Sequence, residues 1–110
     1  MKKINRVAKH PEFISIMRTG HLTRSPNFLL YWKSSDQGYC RIGVQVSKKN
    51  GNAVRRNRIK RQIRAIICSN VDLKRSIDMI VVAKTAYNPD SFTLNAKELI
   101  NDLAGIGETH

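Results

Sequence analysis

A run of positive charge in the middle of the chain constrains the fold more than any other feature. Between Lys48 and Arg64 there are eight lysines and arginines and no aspartate or glutamate. After the turn signal Asn50-Gly51, this segment is predicted to form a helix. At about 100° per residue, the helix has an apolar stripe made of Ile59, Ile63, Ile66 and Ile67. The opposite arc and the N-terminal end form a cationic ridge, which consists of Arg55, Arg56, Arg58, Lys60, Arg61 and Arg64 and also carries Asn57.

The density of this ridge indicates a function. Like charges at i,i+3 and i,i+4, such as Arg61/Arg64 and Lys60/Arg64, each cost about 0.2–0.5 kcal/mol on an isolated helix. A solvated basic face would explain two or three such charges. Eight cations without one acid favour a polyanionic partner.

The composition of the chain narrows the class of partner. A chain of 110 residues with 41% apolar residues predicts one domain with a real core. Twenty basic against eight acidic residues give a net charge of +12, which attracts nucleic acid or an anionic membrane. No apolar run approaches the ~18 residues of a membrane span. Residues 1–6 carry the charges of a secretion signal without an apolar region behind them, so a cytoplasmic protein is expected.

No set of side chains has the spacing of a metal or catalytic site. Cys40 and Cys68 are predicted to be small, reduced core residues. The three histidines are scattered and predicted to be structural. The acids lie singly along the chain, with no pair at helical or strand spacing near the ridge, so catalysis by the polypeptide alone is not expected. The residues concerned are His10, His21, His110, Glu12, Asp36, Asp72, Asp78, Asp90, Glu98, Asp102 and Glu108.

The N-terminal part of the chain predicts a short helix and two strands. Pro11 and Gly20 bracket a helix with Phe13 and Met17 on one face and Ile14 beside them. Core packing is the first interpretation of this face, and the lining of a groove by Phe13 is the alternative.

Two alternating segments, 28–33 and 39–47, are predicted to pair as a hairpin. Their buried faces consist of Phe28, Leu30 and Trp32, and of Cys40, Ile42, Val44 and Val46. The other face is mixed and carries Tyr31, Lys33, Arg41 and Gln45. Such residues can stack on bases and contact phosphates. An ordinary solvated sheet face is preferred when the pattern is taken alone.

The second half of the chain predicts a crossover and a final helix. The basic helix ends near Asn70, and residues 77–83 form an apolar strand that is covered on both faces. Strand–helix–strand crossovers are ordinarily right-handed. The last helix takes its N-cap from Asp90, Ser91 or Thr93 and has a core stripe of Phe92, Ala96, Leu99, Ile100 and Leu103. The prediction is one α+β domain over 1–110, with two or three strands before the basic helix and with frayed ends at 1–8 and 105–110.

The motif around the basic helix closely resembles that of the protein subunit of bacterial ribonuclease P. The matching residues are Val46-Ser47-Lys48-Lys49, Gly51, Ala53-Val54, Arg56-Asn57-Arg58, Lys60-Arg61 and Arg64. The resemblance extends to Glu12-Phe13, Gly20, Arg41-Ile42-Gly43-Val44 and Ile80-Val81-Val82-Ala83. Met17, where the family often has a second aromatic residue, and Ala65, where it often has glutamate, depart from the pattern.

The resemblance implies a fold and a function. The fold would be α-β-β-β-α-β-α, with an unusual left-handed crossover through the basic helix. The protein would form a 1:1 ribonucleoprotein with a catalytic RNA that, with Mg²⁺, removes the 5′ leader from precursor tRNA. No membrane, small-molecule substrate or protein-bound metal is implied.

The resemblance also assigns residues to two binding surfaces. The catalytic RNA would be bound by Arg56, Asn57, Arg58, Lys60, Arg61 and Arg64. A cleft for the single-stranded leader would use Phe13, Met17, Leu29 and Tyr31, with Lys48 and Lys49 nearby. A structural RNA-binding protein of the ribosomal kind is the alternative. A membrane-surface helix is disfavoured because the apolar stripe lacks Trp and Phe.

Overall fold

Three helices and four strands follow one another in the computed structural model, which describes residues 5–7 and 9–106. One-turn 3₁₀ helices at Lys48–Asn50 and Pro89–Ser91 precede the second and third helices. The order α-β-β-β-α-β-α confirms the predicted α+β class. The sequence left open whether two or three strands precede the basic helix, and the third of these strands is β1. The elements are α1 His10–Thr19, β1 His21–Arg24, β2 Phe28–Ser34, β3 Arg41–Val46, α2 Ala53–Asn70, β4 Ile77–Ala83 and α3 Phe92–Ala104.

The strands form one sheet in the order β1-β2-β4-β3. The predicted hairpin between the second and third strands is therefore wrong. β4 lies between them, antiparallel to β2 and parallel to β3. Because β4 is apolar on both faces, a central position buries more of its surface than an edge would. α2 connects the parallel neighbours β3 and β4, as the predicted crossover requires. The left-handed course of this crossover stays a prediction.

The sheet separates two layers of helices. The main core joins α2 and α3 to one sheet face, and in it all four isoleucines of the predicted stripe are buried. This face also contains the predicted alternate residues of β2 and β3, Phe28, Leu30, Trp32, Cys40, Ile42, Val44 and Val46. A smaller cluster lies on the other face, where Ile16 of α1 packs with Val7 and Ile80.

The helix boundaries have local causes. Pro11 lies in the first turn of α1, and Gly20 ends the helix by donating its N–H to the carbonyl of Ile16 at 2.8 Å. A Cβ on Gly20 would lie 2.8 Å from the carbonyl oxygen of Trp32, so only glycine allows this close approach. The side chain of Asn52 caps α2 by accepting a hydrogen bond from the N–H of Arg55 at 2.9 Å.

Some helix residues lie on faces other than those predicted. In α1, Ile16 is buried while Ile14 is exposed, because the helix contacts the sheet through the line of Phe13, Ile16 and Met17. In α3, Leu99 and Leu103 are buried as predicted.

Phe92 and Ile100 are 41% and 40% exposed, so the predicted stripe is too wide. Asn95 and Asp102 are buried in α3 instead, and each has a hydrogen-bond partner: Asn95 donates to the carbonyl of Asn88 at 2.7 Å, and Asp102 accepts from Ser25 at 2.6 Å. Ser91, one of the three predicted N-cap residues, occupies the N-cap position of α3, but its side chain makes no capping hydrogen bond.

The described parts of the chain ends are packed rather than frayed. Asn5 and Val7 are buried, and the N–H of Val7 donates to the carbonyl of Ile42 at 3.0 Å beside β3. Ile106 is buried at the other end. Residues 1–4, 8 and 107–110 of the predicted frayed ends, His110 among them, lie outside the described residues. Cys40 and Cys68 are unpaired thiols, and burial raises the pKa of Cys40 to about 11.

Candidate nucleic-acid interface

The cationic ridge covers the side of α2 that faces away from the core. Asn57, Arg58 and Arg61 are exposed, whereas Arg56, Lys60 and Arg64 are half-buried along the border with the core. The Nε atom of Arg56 is buried and has no hydrogen-bond partner among the described residues. A buried donor without an acceptor is unfavourable, so this side chain is not fully satisfied by the described residues.

Two ridge arginines have partners within the protein. The Nε of Arg55 donates to the carbonyl of Asn50 at 2.9 Å, and this bond fixes the turn before α2. Arg58 pairs with Asp90 at 3.1 Å. The sequence pattern had suggested a ridge without counter-charges, and this pair compensates one of its cations. Both side chains of this pair are largely exposed, and such pairs contribute only about 0–1 kcal/mol.

A second group of arginines surrounds a cavity of about 300 Å³ beside α2. Arg6, Arg61 and Arg64 line it together with Ala65 and Cys68. Burial, and then the positive charge of Arg6, lower the pKa of Arg64. Sequence reasoning missed Arg6, since only the pairing of its segment with Ile42 brings it to α2.

The predicted leader cleft lies where α1 crosses the other sheet face. Phe13, Met17 and Tyr31 are half-buried and pack against the cluster of Val7, Ile16 and Ile80. Phe13 fits there because the neighbouring strand has a glycine: a Cβ on Gly43 would lie 2.7 Å from Cζ of Phe13. Both interpretations of Phe13 therefore hold, because its ring packs on the small core and also lines a groove.

That groove connects the cleft with the basic helix. Its volume is about 300 Å³, and it is lined by His10, Phe13, Val44, Gln45, Val46 and Lys60. Lys60 from the catalytic-RNA set and Phe13 from the leader set thus lie on one concave surface. The other predicted leader residues do not line it.

The positions of those remaining residues follow from the strand register. Leu29 is half-buried and pairs with Val82 of β4, which pairs in turn with Gln45 of β3. Leu29 therefore lies on the same sheet face as Gln45, two strands away from it. Lys48 and Lys49 are exposed on the 3₁₀ turn that follows β3.

Arg41 belongs to an internal ion-pair network rather than to a free basic surface. Its guanidinium donates to both carboxylate oxygens of Asp78 at 3.0 and 2.9 Å, and it also pairs with Glu12 of α1. These hydrogen bonds, led by the one to Asp78, raise the pKa of Arg41. Two carboxylates thus occupy the guanidinium of Arg41, which the sequence pattern had placed among residues that can contact phosphates.

A pair of carboxylates that sequence spacing missed fastens α3 to the β1–β2 turn. The hydroxyl of Ser25 lies 2.8 Å from Glu98 Oε2 and 2.6 Å from Asp102 Oδ2. Glu98 also accepts hydrogen bonds from the N–H and the amide group of Asn27 at 2.7 and 2.8 Å. These acids have a structural role on the far side of the sheet from α1.

The part of the chain that the structure describes contains neither a candidate metal site nor a helix that could span a membrane. No group of three or more His, Cys, Asp or Glu residues there could hold a metal ion. No helix within residues 5–7 and 9–106 is long and apolar enough to cross a bilayer.

Together, these features define a small α+β protein with a basic crossover helix and an aromatic cleft beside it. The family model described as Ribonuclease P matches residues 1–106. The ribonuclease P protein component of Mesoplasma florum is 39% identical over 101 residues, which cover 90% of this chain and 92% of that protein. That of Streptococcus agalactiae serotype III is 35% identical over 103 residues, 94% of each chain. The chain belongs to the ribonuclease P protein family.

Solved structures agree with this assignment. An RNase P protein from Staphylococcus aureus is 30% identical and superposes with a TM-score of 0.74, over 93% of this chain and 96% of that one. The RNase P protein from Thermotoga maritima gives a TM-score of 0.78 at 24% identity, over 92% and 96% of the two chains, and supports the fold. The family membership that the resemblance implied is thereby confirmed.

Proposed function

We propose that this chain is the RNA-binding subunit that helps a catalytic RNA to remove the 5′ leader from precursor tRNA. The observation that carries the proposal is the charge of the segment from Lys48 to Arg64. Of its eight cations, only Arg58 has an ion-pair partner within the described residues. An array of cations without counter-charges binds a phosphate backbone by releasing its condensed counterions.

The two RNA partners are assigned to two surfaces. The catalytic RNA contacts α2 through Arg56, Asn57, Arg58, Lys60, Arg61 and Arg64. The single-stranded leader lies in the cleft of Phe13, Met17, Leu29 and Tyr31, with Lys48 and Lys49 close to its backbone. Support for this division comes from the chemistry of the surfaces: half-buried aromatic rings favour unstacked bases, whereas an exposed row of cations favours folded RNA.

The hydrolysis itself is assigned to the RNA. A protein nuclease needs a general base or carboxylates that hold a metal ion. The described acids nearest the cleft, Glu12 and Asp78, are both paired with Arg41. Mg²⁺ would be held mainly by the RNA subunit and the substrate. The polypeptide neutralises phosphates and so holds the two like-charged RNAs together. It forms a 1:1 complex with the catalytic RNA, in the cytoplasm.

Reconstitution tests this proposal. Adding the protein to a bacterial ribonuclease P RNA should restore cleavage of precursor tRNA at a low Mg²⁺ concentration at which the RNA alone is inactive. If six ridge cations meet phosphates, the logarithm of the affinity should fall with log salt with a slope of roughly 4 to 5.

Two further results complete the test. The gain in substrate affinity should be larger for precursors with a leader than for those without one, and equal gains would contradict leader binding. Depletion of the protein from cells should lead to 5′-extended tRNA precursors. Tight ribosome association with normal tRNA ends would instead favour a ribosomal role.

A further inference from the structure

The arginine-lined cavity beside α2 also contains a cysteine thiol. Its volume is about 300 Å³, and the residues that α2 contributes lie at positions i, i+3, i+4 and i+7, which share one side of a helix. Arg6 comes from the segment that pairs with β3, so two separate segments form the walls. The residues on α2 are Arg61, Arg64, Ala65 and Cys68.

The charged groups of this cavity all have the same sign. Its lining has three arginines and no acid, and none of the three has an ion-pair partner among the described residues. Burial, and then the charge of Arg6, lower the pKa of Arg64, whereas a thiolate at Cys68 opposes both effects, so these groups interact electrostatically. Cations that converge without an acid favour a ligand that supplies negative charge.

Cys68 is the more accessible of the two thiols. It is half-buried and lines the cavity, whereas Cys40 is fully buried in the main core. Ala65 is exposed on the preceding turn of the helix, and its methyl group takes up little of the cavity. Thiolates attack disulfides at rates that depend on access and on local charge. A reagent that enters the cavity therefore meets the sulfur of Cys68 and three guanidinium groups together.

We propose that Cys68 is a site of reversible modification by low-molecular-weight disulfides that carry carboxylates, and that this modification weakens binding of the catalytic RNA. The arginines attract the carboxylates, and the thiolate of Cys68 attacks one sulfur of the reagent. A disulfide bond forms between Cys68 and that half of the reagent, and the original bond breaks. The other half leaves as a thiolate, which takes up a proton equivalent to the one that Cys68 lost to the solvent. Cys68 is thereby oxidised, and the released thiol is the reduced product.

The modification acts on two arginines that the proposed function assigns to the catalytic RNA. A carboxylate attached to the sulfur of Cys68 lies in the same cavity as Arg61 and Arg64, so it competes with a phosphate for them. A reductant that removes the group frees both arginines again. This inference rests on the proposed binding of the catalytic RNA by α2 and adds a means of regulating it.

The first measurement compares the reaction of the folded, full-length chain with two chromogenic disulfides. Dithiobis(nitrobenzoate) carries carboxylates, and dithiodipyridine is uncharged. At neutral pH, each rate is divided by the rate for mercaptoethanol, an uncharged reference thiol. The normalised rate should be on the order of tenfold higher for the anionic reagent at low salt, because the cavity concentrates anions. This preference should fade as the Debye length falls from about 10 Å at 0.1 M to about 3 Å at 1 M salt. Cys68→Ser should remove the fast reaction with both reagents.

Charge variants test whether the cavity causes the preference. Arg64→Ala removes a cation and Ala65→Glu adds an internal carboxylate, so each should lower the ratio of the two normalised rates. A change in the fraction of thiolate affects both rates, so the ratio reports the attraction of the reagent. Lys97→Ala removes an exposed cation from α3 and is the matched control, which should react as wild type does. Equal normalised rates for the two reagents, or an unchanged ratio in both cavity variants, would overturn the inference.

The second measurement is the affinity of the modified protein for a bacterial ribonuclease P RNA. Mass spectrometry locates the nitrobenzoate group on Cys68, and this adduct should bind more weakly than the reduced protein, with about one unit less slope in the dependence of log affinity on log salt. The thiopyridine adduct is uncharged and should weaken binding less. Dithiothreitol should restore the affinity, and the same treatment should not affect Cys68→Ser.

The two measurements distinguish the failure of this inference from the failure of the proposed function. A nitrobenzoate adduct that binds the RNA as tightly as the reduced protein would overturn the inference, while RNA binding by α2 stands. If the reduced protein itself does not bind the RNA, the proposed function fails. The preference of Cys68 for an anionic disulfide does not depend on RNA and is measured separately.

Discussion

The ring of Phe13 lies against the backbone of Gly43, so closely that a Cβ on Gly43 would be 2.7 Å from Cζ of the ring and 2.5 Å from Cδ1 of Ile80. α1 can therefore approach β3 only because this strand position lacks a side chain. The same contact places Phe13 at the groove that joins the cleft to α2. The depth of the proposed leader site thus depends on one glycine.

Gly43→Ala should displace Phe13 and weaken leader binding. Overpacking of this kind costs about 1–3 kcal/mol, which we expect in urea unfolding. The affinity of the holoenzyme for precursors with a leader should fall, while leaderless substrates are little affected. Gly105→Ala is a control, because its Cβ would meet only an ordinary contact at 3.6 Å. Unchanged leader affinity in Gly43→Ala would show that the position of Phe13 does not matter.

Arg41→Ala should be among the most destabilising single changes. It leaves Asp78, which is 3% exposed, without its two charged hydrogen bonds, and it frees Glu12 of α1. Removing one partner of a buried ion pair costs about 3–5 kcal/mol. Arg58→Ala breaks a pair on the surface instead and should change the free energy of unfolding by about 0–1 kcal/mol. Equal losses in the two variants would contradict a structural role for Arg41.

Arg61→Ala and Arg64→Ala should each weaken binding to the catalytic RNA without unfolding the protein. Each removes a cation beside the arginine-lined cavity, so the salt dependence of log affinity should lose about one unit of slope. The cleavage of precursor tRNA should show a partial loss. Lys97→Ala removes an exposed cation from α3 and serves as the control. Wild-type affinity in both ridge variants would argue against α2 as the RNA contact.

The sequence predicted the parts of the fold that depend on local periodicity. The isoleucine stripe of α2 and the apolar run of β4 each specified an element and its buried side. The sheet order was not predictable in this way, because a turn between β2 and β3 is equally compatible with an intervening strand. Placing β4 between them depends on the burial of both its faces in the whole domain.

The candidate site likewise divides into residues that local patterns predict and residues whose position depends on long-range pairing. The residues of the ridge follow from helical spacing, whereas the assignment of the cleft residues comes from the family resemblance. The role of Arg41 does not follow from either, since its partners Glu12 and Asp78 are 29 and 37 residues away. Arg6 and Gln45 reach their grooves only through the pairing of β3 with its neighbours. Long-range pairing is the information that a single sequence conceals.

Asp102→Asn should alter the pH dependence of stability. Burial raises the pKa of Asp102, and the nearby charge of Glu98 raises it further, while the hydrogen bond from Ser25 lowers it. The native state therefore holds a proton on Asp102 more tightly than the unfolded state does. This contribution is complete below about pH 4, where the unfolded group is also protonated, and it is lost as the pH rises through the native pKa.

The measurement is urea unfolding of wild type and Asp102→Asn at a series of pH values. The stability of wild type relative to the variant should decline as the pH rises from about 4, because only wild type titrates at this position. Ser25→Ala removes the hydroxyl that lowers the pKa, so its decline should extend to higher pH than that of wild type. Arg41 and its partners are the same in all three proteins, so their contribution to stability cancels in the differences. Parallel curves for wild type and Asp102→Asn would show that the burial of this carboxylate has no effect on its protonation.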